Sequence, residues 1–134
     1  MDIPRFNFGN EITEYITKEL IVYTLNKYSY SEVLHGIMTY LYFNDDYPEN
    51  NTVKHLEENR GKIFNVSKIL ISKDEGWIEE DITTVTLKMQ KKTLDIIMAG
   101  IIPKPDNLKM EKFQEFLLNY RKFYDYIKNE GIIS

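Results

Sequence analysis

KILISKDEGWIEEDITTVTLKM, residues 68–89, is the stretch on which the fold turns. Its centre, residues 73–76, reads Lys-Asp-Glu-Gly and makes a turn. Before that turn Val53, Leu56, Ile63 and Leu70 fall near one helical face, widened by Phe64, Val66 and Ile69, and this spacing predicts a helix over 52–72. Gly61 weakens such a helix by about 1 kcal/mol relative to alanine. After the turn Ile78, Ile82, Val85, Met89, Ile96 and Ile97 form a stripe that predicts a helix over 77–99. The β-branched run from Ile82 to Thr86, with Leu87, also fits a short strand over 82–87. The helix is preferred, because the stripe persists for about five turns and an isolated strand would lack a partner.

Towards the N-terminus, Asn10 offers a cap for a helix over 11–27, whose second half (Leu20, Ile21, Val22, Tyr23, Leu25) is apolar all round and suits a central helix. Ser29 followed by Glu32 has the capping-box spacing and starts a second helix carrying Val33, Leu34, Ile37, Met38, Leu41 and Tyr42. The loop 44–52 contains Asp45, Asp46, Pro48 and three asparagines and cannot continue it. Towards the C-terminus, Gly100, Ile101 and Pro103 read as a helix stop. The last helix, 107–130, gathers Phe113, Phe116, Leu117, Tyr120, Phe123, Tyr124 and Ile127 within an arc of roughly 140° and ends at Gly131. The expected fold is all-α: one domain, a compact bundle of about five helices.

A chain of 134 residues that is 43% hydrophobic and 28% charged is the size of one domain and can offset the entropy of ordering itself. Without cysteine it has neither disulfides nor thiolate chemistry. No basic segment followed by an apolar core marks a secretory signal, and no stretch approaches the roughly 20 apolar residues of a membrane span. A cytoplasmic location is expected, including the cytoplasm of a host cell. One alanine, Ala99, and 14 lysines against 3 arginines resemble the usage of AT-rich genomes, such as those of many phages, large viruses and low-GC bacteria.

Two pairs have metal-ligand spacing, Glu32 with His35 and His55 with Glu58. On successive antiparallel helices they would lie at opposite ends of the bundle, so no metal or cofactor is expected. The six glycines form no phosphate loop, and no nucleophile elbow is present. An enzyme is not expected.

Charge is distributed unevenly. Residues 1–81 carry 15 acidic and 8 basic side chains, residues 82–134 carry 6 and 9, and the whole chain has a net charge of −4. No Lys or Arg stands between Lys27 and Lys54, so the second helix cannot serve as a DNA-recognition helix. Lys88, Lys91, Lys92, Lys109, Lys112, Arg121 and Lys122 form a basic face that would suit RNA or a single strand, although a solvated face explains it more simply. Asp74, Glu75, Glu79, Glu80 and Asp81 read as a helix N-terminal turn or as an acidic docking surface. Five of the ten tyrosines surround the second helix, where Tyr40 and Phe43 form one apolar flank and Leu34, Met38 and Tyr42 another. A small bundle cannot easily bury both. The leading expectation is therefore a non-enzymatic protein-interaction module, a small viral or phage factor that sequesters a host protein or pairs with itself. A nucleic-acid-binding module is the alternative.

Overall fold

The computed structural model describes residues 4–56 and 67–131. Its decisive feature is an antiparallel hairpin, not a helix. Strand β2 (Lys68–Lys73) pairs with β3 (Gly76–Asp81) in a register running from Lys68 opposite Asp81 to Lys73 opposite Gly76. That register leaves two turn residues, Asp74 and Glu75, both at positive φ (51° and 68°), the backbone that matches the twist of paired strands. Ile69 and Ile71 point inward at a period of two, while Lys68 and Lys73 stay exposed. A short strand β1 (Val53–Lys54) pairs with the other edge of β2 and completes a three-stranded sheet.

These elements overturn the all-α five-helix bundle. The helix expected over 52–72 is replaced by β1 and β2, with residues 57–66 outside those described. The helix expected from 77 begins only at Ile82, and the strand considered for 82–87 lies one element earlier, as β3. The spacing of Val53, Leu56 and Leu70 imitated a helical face; the turn expected at residues 73–76 is present, but its two central residues close a hairpin instead of joining two helices. Asp81 ends the strand and caps the following helix, its carboxylate accepting from the Thr84 amide at 2.9 Å. That bond holds the Asp81 carboxyl below its ordinary range.

Among the described residues there are four α-helices: α1 (Lys18–Lys27), α2 (Tyr30–Tyr42), α3 (Ile82–Ile101) and α4 (Met110–Asn129). The central one is α3, not the first: α1, α2, α4 and the sheet all pack on it, and it buries Val85, Met89, Leu94, Ile97 and Ile101. In the stretch 20–25 of α1, expected to be apolar all round and central, Tyr23 is 55% exposed. Helix α1 begins at Thr17 rather than at Asn10, because residues 11–16 spend their polar groups elsewhere. The Asn50 side chain bridges the Ile12 amide (3.0 Å) and carbonyl (2.8 Å), and the Glu11 carboxylate accepts from Thr52 Oγ1 (2.5 Å) and the Gly9 amide (3.0 Å). Gly100 does not stop α3 but lies within it, where α1 comes closest: a Cβ there would stand 2.8 Å from Ile21 Cδ1. The helix ends because Ile102 is extended ahead of Pro103. No helix among the described residues is long and apolar enough to cross a membrane.

Candidate functional site

Helix α1 separates two cavities of opposite character. On one side, in the corner where α1 turns into α2 at residues 28–29, lies an apolar groove of about 530 Å³. Leu20, Thr24 and Tyr28 form one wall, and Val33, Gly36, Ile37 and Tyr40 form the other. The corner is made by the Ser29 cap read from the sequence: Ser29 Oγ accepts from the Glu32 amide (3.4 Å), while the Glu32 carboxylate takes the Ser29 hydroxyl (2.8 Å) in place of the backbone amide that a full capping box would satisfy. Around the groove Tyr23, Tyr28, Tyr40 and Phe43 remain exposed, and Lys27 lies over the rings of Tyr23 and Tyr28. Gly36 lies mid-helix at the groove, and a Cβ there would meet nothing within 4 Å. A helical glycine costs up to about 1 kcal/mol relative to alanine, and no contact among the described residues explains this one.

The two flanks expected on α2 separate. Tyr42, counted as surface, is 1% exposed and belongs to the core, and Leu34 and Met38 are half-buried against that core. Tyr40 and Phe43 alone of the five remain exposed. The bundle could bury one flank after all, because the N-terminal segment covers it: Phe8 packs against Tyr42 with ring centroids 6.1 Å apart. The acidic group sits on the hairpin, with Asp74 and Glu75 in its turn, Glu79 and Glu80 in β3 and Asp81 as the cap of α3. The reading of 74–81 as a helix N-terminus is thereby corrected for all but Asp81.

The second cavity, about 920 Å³, lies between α3, the start of α1 and the N-terminal segment. Lys18, Lys88, Lys91 and Lys92 line it together with Glu11 and Asp95. Lys92 Nζ donates to Glu11 Oε1 (2.9 Å) and to the carbonyls of Gly9 (2.8 Å) and Glu11 (3.4 Å). Lys91 pairs with Asp95 at 3.1 Å, and the other Asp95 oxygen accepts the hydroxyls of Tyr120 and Tyr124. Burial, then the bond to Asp95, pushes the Tyr124 phenol up. Burial and the nearby Glu11 do the same for Tyr42.

The seven basic residues do not share one face. Lys88, Lys91 and Lys92 line the cavity, whereas Lys112 donates to the Tyr28 carbonyl (3.2 Å) and the Lys109 amide to Asn26 Oδ1 (2.9 Å). Arg121 borders a separate hollow with Tyr124 and Asp125, and Lys122 is exposed on α4. His35 lies at the groove, His55 follows β1, and Glu58 falls outside the described residues, so the successive helices that framed the metal reasoning do not exist in that form. Among the described residues no three His, Asp or Glu side chains come together as metal ligands would. Sequence reasoning missed Glu11, Asn50 and Thr52, whose roles arise from contacts 38 to 81 residues apart and carry no local signal, and it missed Lys18 and Asp95 in the cavity lining. Compared with protein-family models, curated proteins and solved structures, the chain matches none of them.

Proposed function

We propose that this chain is a non-enzymatic protein-interaction module whose α1/α2 groove receives an amphipathic helix of another protein. The observation that carries the reading is Gly36: a glycine in a helix interior, free of any packing demand from the described residues, on the wall of an apolar groove. Close approach of a partner backbone supplies the missing reason, as small residues do wherever two helices meet tightly. The exposed rings of Tyr28 and Tyr40 beside it add apolar area with hydroxyls that tolerate water, the mix common at protein contacts. Helix α2 has 13 residues, about 20 Å at 1.5 Å per residue, which offers room for several turns of a docked helix.

The test is affinity capture from the native host with wild type, Gly36→Leu and Tyr40→Asp, beside light scattering of each purified chain. A partner enriched by wild type and lost with both variants, at unchanged circular dichroism, supports the proposal. Capture that ignores both substitutions overturns it. Concentration-dependent dimerisation abolished by Gly36→Leu would replace the foreign helix with a second copy of this chain.

A further inference from the structure

The larger cavity has a use that the groove does not explain. The donors around it divide into those already spent and those still available. Lys92 directs its ammonium at three oxygens, which exhausts its donors and makes it part of the wall. Lys91 spends one on Asp95. Lys18 and Lys88 make no hydrogen bond or ion pair among the described residues.

The two carboxylates in the lining are each already partnered, Glu11 fully buried and Asp95 with its side chain 39% exposed. Glu11, with no side-chain exposure, faces Lys92, the Thr52 hydroxyl and the Gly9 amide, and Asp95 faces Lys91 and two tyrosine hydroxyls. Neither compensates Lys18 or Lys88. The hollow thus holds two uncompensated positive charges in a chain whose net charge is −4, and a concave setting concentrates their field.

The size and lining of the cavity also point to a ligand. Phe8, Ile16, Ile21 and Ile96 supply an apolar lining, and about 920 Å³ falls within the range of small-molecule sites, about 300–1,000 Å³. We infer that the cavity binds a phosphomonoester of a small organic molecule, its dianion held by Lys18, Lys88 and Lys91 and its organic part set against the apolar lining.

Isothermal titration calorimetry of the full chain with adenosine monophosphate, glucose 6-phosphate and inorganic phosphate tests the assignment. At least one ester is expected to bind saturably and more tightly than inorganic phosphate. Lys18→Ala combined with Lys88→Ala should weaken it about ten-fold or more, ten-fold being about 1.4 kcal/mol. Lys122→Ala, on the exposed surface of α4, should leave it unchanged. No saturable binding, inorganic phosphate bound as tightly as the esters, or binding indifferent to the double substitution overturns the inference. So does a single-stranded oligonucleotide bound more tightly than any ester with a steep salt dependence.

Discussion

The two sides of α1 are built in different ways. The groove against α2 is assembled from residues 20–40, within about three turns of a local corner, and its chemistry is apolar with tyrosine at the rim. The cavity against α3 is assembled from residues 8–100 and closed by polar bonds between distant positions, such as Glu11 with Lys92. The groove owes its form to helix capping and to a glycine. The cavity owes its form to a buried network that holds the N-terminal segment in place. A local surface can change without unfolding the chain, whereas a distant polar network does not tolerate a single loss, because each member left behind is a desolvated group without a partner.

Lys92→Met should break this contrast most severely, leaving the Glu11 carboxylate buried and uncompensated at a cost of about 3 kcal/mol, read as a lower urea midpoint. Replacing Glu11 by Gln in the same chain should recover part of that loss. A Lys92 variant as stable as wild type would show that the network adds nothing to the fold.

The next effect lies where α3 meets α4. Tyr124→Phe removes a hydroxyl from Asp95 and should cost about 1 kcal/mol at neutral pH. The Tyr124 and Tyr42 phenols are both raised, so their contribution is complete below the ordinary tyrosine value of about 10 and is lost as pH rises towards the raised values. Wild type should therefore lose stability above about pH 10 more steeply than Tyr124→Phe, in denaturant titrations run across that range.

The smallest effect compares the two helical glycines. Gly36→Ala should raise stability by about 0.5–1 kcal/mol, because nothing crowds the new methyl group. Gly100→Ala should gain less, since its Cβ meets Ile21 Cδ1 at 2.8 Å. Equal gains at both positions would remove the contrast between a glycine kept for packing within the chain and one left open towards a partner.

Composition, charge and i, i+3 patterns were enough to foresee the cap of α2 at Ser29 and Glu32, the apolar arc that became α4, and the turn at residues 73–76, because each depends on neighbours in the chain. They were not enough for the sheet. Strand β2 is a strand because β1 and β3 pair with it on either side, and its isoleucines fit a helical stripe as well as a pleat until those partners are present. Nor could they place Glu11, which reads as the start of a helix. Its carboxylate is buried against Thr52 and Lys92, and such a contact exists only once the chain has closed a loop of 81 residues.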